Sequence, residues 1–300
     1  MQGNLLPLIP RKRLLKLAEK RVERFASHFS TLLTSDDPDI IHHTRVWSRR
    51  LQQTFNLMFA KPRRGEVKKL IRTLKRMRRR LSHCRDLDIC LALIGEKMES
   101  AGDTTNRHAW EELRGHLQHR RGAEISASRK KLRTYNIDVI IANSSKTFKQ
   151  YRRESGSGDP DTSLHESLRR AVMRWHATLV RAKEKRSPKD LHRLRIAAKR
   201  FRYRAELLSE LGDVTAKAMV KSLKRLQQEL GDWHDRQVLL RFVAEFIGRP
   251  DFLLHYPEIS RSLLAELAKE RQRNNAAVEP ILTTAERIKE DGLLDLEKIS

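Results

Sequence analysis

LHRLRIAAKRFRY, residues 191–203, reads as one helix with two unlike faces. At ~100° per residue, Leu194, Ala197, Phe201 and, two turns on, Leu208 gather on one side. His192, Arg195, Lys199 and Arg202 gather on the other. Like charges at helical spacing repel, so such a stripe costs stability unless an anion answers it. Residues 41–53, IHHTRVWSRRLQQ, carry the same arrangement. There His42, Arg45 and Arg49 oppose Thr44, Trp47, Leu51 and Met58, and Arg50 flanks the stripe as Arg200 does in the second copy.

The chain has 300 residues, with 63 Lys plus Arg against 38 Asp plus Glu, a net charge of +25. That field recruits polyanions: nucleic acid, phosphorylated molecules, anionic lipid or polyphosphate. A hydrophobic fraction of 39% permits a packed core. Cys84 and Cys90 stand alone, with no CxxC and no His-Cys pairing, which argues against a zinc site or disulfide framework and for a reducing compartment. No apolar run approaches the ~20 residues of a membrane span. In the opening MQGNLLPLIPRKRLLK the apolar residues precede the charges, the reverse of a signal peptide. A soluble, cytoplasmic protein is expected.

Periodicity near 3.6 residues predicts helices over 11–34, 39–60, 66–82, 86–100, 104–135 and 137–153, then 163–185, 188–211, 214–230, 235–247, 256–276 and 280–290. ESGSGDPD, residues 154–161, reads as the linker between the two sets. The one β-like run, IDVIIA at 137–142, lies in a helical context. Three segments recur in order. VERF at 22–25 matches VMRW at 172–175, and HHTRVWSRR at 42–50 matches HRLRIAAKR at 192–200, both at an offset of 150. LKRMRRRLSHCRDLDI at 74–89 matches LKRLQQELGDWHDRQV at 223–238, at an offset of 149. This indicates an internal duplication, repeat 1 about 11–153 and repeat 2 about 163–290. The expected fold is all-α: one domain of two pseudo-symmetric helical bundles.

The third helix of each repeat adds Arg72, Lys75, Arg76 and Arg79, and Lys221, Lys224 and Arg225. Charge opposite an apolar face is what any solvated helix shows. Here the stripes hold almost no acid and recur at matching positions, which favours a functional reading. A stripe of this length spans ~15 Å along the helix and suits a linear anion. Arg offers forked donors to phosphate oxygens, Lys a point charge, and His two donors once protonated. Facing one another, two stripes would line a basic groove or pore.

The duplicated His-x-x-Arg-x-x-x-Lys/Arg-Arg helix, followed by LKRLQQELGDWHD, resembles the CHAD family, the conserved histidine α-helical domain, over about residues 11–290. The first copy departs at Gln52, where the second has Arg202. The resemblance implies two four-helix bundles around a basic cavity and binding of inorganic polyphosphate, often at polyphosphate granules. A stand-alone domain is expected, since the chain lacks the alternating ExExK strand of the triphosphate tunnel domain that many members carry, and binding without catalysis is expected, since no paired-carboxylate metal site is convincing. Its expected contacts are the cations named above in both repeats. A basic nucleic-acid-binding protein is the alternative, although the sequence has no recognisable DNA or RNA motif and only 6% aromatic residues. No cofactor is expected. Gly231 and Asp235 in GDWHD read as the end of one helix and the start of the next, with Asp86 in the matching place. Asp86, Asp88, Asp232 and Asp235 read as helix-start acids rather than metal ligands. His83 and His234 fall beside them out of register with each other. Trp47, Trp175 and Trp233 read as core.

Overall fold

The computed structural model describes residues 11–59, 65–100, 104–153 and 160–290 of the chain. It is all-α, with no strand among the described residues. The first half holds α1 (Arg11–Leu32), α2 (Pro38–Met58), α3 (Gly65–Arg80), α4 (Ser82–Glu99), α5 (Thr104–Leu132) and α6 (Ile137–Arg153). The second holds α7 (Pro160–Lys185), α8 (Pro188–Leu211), α9 (Thr215–Ile247), α10 (Pro250–His255), α11 (Pro257–Ala276) and α12 (Val278–Glu290). Residues 154–159 of the expected linker lie outside the described residues, while Pro160 and Asp161 already belong to α7.

The two helices with basic stripes begin alike. Asp37 caps α2 by accepting from the Asp39 amide at 2.8 Å, and Ser187 caps α8 by accepting from the Asp190 amide at 3.1 Å. In each a proline follows at the first helical position, where its missing N–H costs nothing. α8 ends at Gly212, whose φ of 113° places it in the left-handed region that favours glycine. The run IDVIIA opens α6, with Asn136 accepting from the Asp138 amide at 2.8 Å.

The core does not divide at the repeat boundary. One apolar cluster joins Phe25, Phe29, Leu51, Phe55 and Leu74 of the first half to Trp175, Leu194, Phe201, Leu226 and Ile281 of the second. The other joins Leu87, Ile94, Trp110 and Leu113 to Phe242, Phe246, Ile259 and Leu263. Ion pairs add further ties. Arg21, only 2% exposed, donates to Glu210 at 2.8 Å, to the Thr54 hydroxyl at 2.8 Å and to the Arg50 carbonyl at 3.0 Å. Lys97 pairs with the buried Glu270.

The helix end expected at Gly231 and the start at Asp235 are not there: α9 runs unbroken through both. One glycine costs a helix only ~1 kcal/mol. Leu226, Leu230 and Trp233 of α9 are buried in the first cluster, and Val238, Phe242 and Phe246 in the second. A continuous helix is thus the beam shared by both cores. In the first half the corresponding segment turns at Leu81, between α3 and α4. The short helix α10 was not predicted; Pro250 starts it. Trp175 and Trp233 are core, as expected, but Trp47 is only half-buried and carries the Arg50 guanidinium 4.9 Å over its ring.

A helical Gly231 has a testable consequence. A Cβ there meets nothing within 4 Å. Gly231→Ala is expected to stabilise the protein by about 0.5–1 kcal/mol, through helix propensity and a less free unfolded chain. Gly212→Ala is expected to destabilise it by more than about 1 kcal/mol, because alanine resists the left-handed conformation. Urea unfolding of both variants decides this; a destabilised Gly231→Ala would mean that the helix ends there.

Candidate anion-binding site

The stripes of α2 and α8 come together. Arg45 and Arg49 reach in from α2, Arg195 and Lys199 from α8, and Arg78 from α3. Three of these four guanidiniums are held by hydrogen bonds. Arg45 donates to the Arg78 carbonyl at 2.7 Å and to the Ser82 hydroxyl at 3.0 Å. Arg49 donates to the Tyr203 hydroxyl at 3.1 Å. Arg78 donates to Gln52 and lies 3.4 Å from the Ser48 hydroxyl. Arg195 lies 4.0 Å from Asp235 of α9. The carboxylates facing the cluster are Asp86 and Asp235, and burial pushes both upward from the ordinary aspartate value.

The electrostatics are those of crowded, partly dried cations. Burial lowers Lys199 to about 6, with Arg195, Arg49 and Arg45 pushing the same way against Asp235. Burial and the neighbouring Arg49 lower Arg78 to about 9 and Arg45 to about 10. Arg195 is lowered too, chiefly by burial. His42 and His192 stand at the mouth, exposed on one side yet crowded on the other. Desolvation, aided by Arg85, holds His42 down to about 4. The same cause, aided by Arg195, lowers His192. His234 packs on His192 with ring centroids 5.2 Å apart, and burial brings it to about 3. Without an anion these imidazoles are neutral near pH 7, so the cationic histidines of the sequence reading need a bound anion.

The other sequence candidates sort into different places. Arg50 faces Glu206 at 3.7 Å and Arg202 pairs with the same carboxylate, whose side chain is 8% exposed. These arginines brace α2 and α8 beside the cluster, where they had been expected to face the ligand. Arg72, Arg76 and Arg79 are exposed along α3, and Lys221, Lys224 and Arg225 along α9. Arg225 pairs with Glu229 at 3.2 Å. Lys75 and Arg200 line a cleft of about 740 Å³ between α2, α3, α7 and α8.

The sequence reading passed over Arg78, yet its signal was present. Gln52 stands at the position of Arg202, and Arg78 at the position of Gln227. In space Arg78 donates to Gln52, and Arg202 donates to Gln227. The arginine absent from the first stripe therefore comes from the next helix, and the Arg–Gln pair is swapped between repeats. Tyr203 was missed because its hydroxyl works from an otherwise buried ring, with Arg202 4.7 Å over its face. Among the described residues no group of three or more His, Cys, Asp or Glu could hold a metal ion. No helix among them is long and apolar enough to cross a membrane.

Comparison with known proteins agrees with this architecture. The sequence matches the CHAD domain family over residues 16–244. The fold matches the crystal structure of the CHAD domain from the plant Ricinus communis with a TM-score of 0.67, at 19% identity, over 94% of this chain and 95% of that one. At that identity the likeness shows the fold alone. No curated protein matches the sequence.

The Lys199 amine predicts how stability depends on pH. Its value is 10.5 in the open chain and about 6 in the fold, so the unfolded state binds more protons between those limits. The penalty for housing this amine therefore grows as pH falls from 10.5 and is complete below about 6. In anion-free buffer Lys199→Met should be more stable than the wild type at pH 7, by a margin that shrinks at pH 9. Urea midpoints at the two pH values measure this; an equal margin at both would show that the amine titrates normally.

Proposed function

The chain belongs to the CHAD domain family, and on that premise we propose that it binds inorganic polyphosphate through the α2–α3–α8 cluster, without catalysis. The observation that supports this most is the convergence of Arg45, Arg49, Arg78, Arg195 and Lys199 from three helices against only Asp86 and Asp235. Cations half-dried beside one another repel, and a polyanion turns that repulsion into affinity. Arg45, Arg49 and Arg78 are held by protein acceptors, so less side-chain entropy is lost on binding. A phosphate chain threads such a track without needing to be read base by base.

Nucleic acid, the alternative, supplies the same phosphates but gains most from aromatic platforms. The aromatic side chain in the cluster, Tyr203, is buried and covered by arginine, and the exposed Tyr256 lies away between α10 and α11. A protein of this function belongs in the cytoplasm, at polyphosphate granules.

Binding of long-chain polyphosphate is expected to fall with salt at a log–log slope of magnitude above about 4, at ~0.7–0.9 per contact. It should tighten from about pH 8 to 6, as the anion restores protons to Lys199 and His192. Duplex DNA and single-stranded RNA at equal phosphate concentration and one stated salt should compete poorly; effective competition would favour the alternative. Arg49→Gln and Lys199→Gln should each weaken binding by about tenfold or more, the scale of a charge-assisted contact. Because both residues serve one ligand, titration calorimetry should show unchanged stoichiometry in each variant. Half stoichiometry at native affinity would mean two separate sites. Constant chain length after incubation with magnesium is the expected result for a protein that binds without cleaving.

A further inference from the structure

The two repeats differ most beside the cluster. In repeat 1 the space between α1 and α2 is filled by Arg21, 2% exposed, and by the indole of Trp47. The cations there are matched, Arg21 by Glu210 and Arg50 by Glu206. At the offset of 150, repeat 2 has Ala171 for Arg21 and Ala197 for Trp47. Both alanines line the cleft of about 740 Å³. Two methyl groups where the first half has two large side chains leave α7 and α8 open to this cleft.

The charges of the groove are unmatched as well. Arg170, Arg174, Arg200 and Arg204 line it, with Glu166 as its carboxylate. Glu166 pairs with Arg170 one turn along α7, and no carboxylate pairs with Arg174 or Arg200 among the described residues. Arg204 is set in place: its Nε donates to the Ser167 hydroxyl at 2.8 Å and an Nη to the Arg200 carbonyl at 2.7 Å. Burial brings this guanidinium to about 10, with Arg200, Arg170 and Arg174 acting in the same direction. The groove also joins the cluster. Tyr203 lines it while accepting from Arg49, and Gln52 lines it while accepting from Arg78. On the α8 wheel, at ~100° per residue, Tyr203 falls between Lys199 and Arg204.

We propose that the α7–α8 groove is a second phosphate-binding segment, entered over Tyr203 by a polyphosphate chain already held in the cluster, so that it favours long chains over short ones. This rests on the polyphosphate reading above and adds α7, which contributes nothing to the cluster. A short oligophosphate fills the cluster and stops there, whereas a long chain runs on past Arg204 and Arg174. Arg21 and Trp47 occupy the matching place in the first half, so the chain leaves the cluster toward α7.

The test compares tripolyphosphate with long-chain polyphosphate, using the full chain as wild type and as the Arg174→Gln, Arg204→Gln double variant. Long-chain affinity is expected to fall about tenfold and the salt slope to shrink by about 1.5, for two contacts at ~0.7–0.9 each. Tripolyphosphate affinity should stay within about twofold of the wild type, on a cluster whose contacts and salt slope are untouched. Arg174 is exposed, so Arg174→Gln alone keeps the test valid if the double variant misfolds; a long-chain loss of about threefold is then expected, with a slope change of ~0.8. Long-chain binding equal to the wild type would overturn the groove, and so would equal weakening of both ligands, which would place these arginines in the cluster. If the wild type binds neither ligand, the polyphosphate reading itself fails, and that is seen before any variant is made.

Discussion

Four guanidiniums and one amine held half out of water within reach of one another are the constraint around which this protein is built. Lost solvation, with Arg195 and Arg49 beside it, lowers the Lys199 amine from 10.5 to about 6. Such a cluster is stable only on a scaffold that has its stability from elsewhere. Here that scaffold is two interlocked apolar cores, a helix spanning both, and α2 and α8 started at matching capped prolines.

The arginines of the stripe helices consequently divide their labour. Arg45, Arg49 and Arg195 turn toward the cluster. Arg50 and Arg202 turn to the buried Glu206, and Arg21 to Glu210. The second group neutralises the carboxylates of Glu206 and Glu210, which leaves the first group without them as partners. Removing a carboxylate such as Glu206 would leave arginines without their partner in a site already crowded with positive charge.

The segments that match at offsets of 149 and 150 differ where they meet the cluster. At the inner end of the first stripe the arginine is Arg78 of α3, bonded to Gln52 of α2, whereas at the second it is Arg202 of α8, bonded to Gln227 of α9. Arg21 and Trp47 stand beside the cluster in the first half, while Ala171 and Ala197 line the cleft in the second. The site thereby has distinguishable sides.

What the sequence determined by itself was local or repeated. The helices, the basic faces of α2 and α8, and the duplication could all be read because 3.6-residue periodicity and a fixed offset survive in one dimension. Arg45, Arg49, Arg195 and Lys199 were legible for the same reason. The tertiary structure alone decided which cations meet. Arg78 joins the cluster while its neighbours Arg76 and Arg79 face solvent, a choice made by the packing of Leu74 and Met77. It also decided that Gly231 lies within a helix, since only the two cores that α9 crosses outweigh the local signal to stop. The histidines and Lys199 lose their protons for a reason no pattern encodes: solvation and like charge are properties of neighbours brought together from distant parts of the chain.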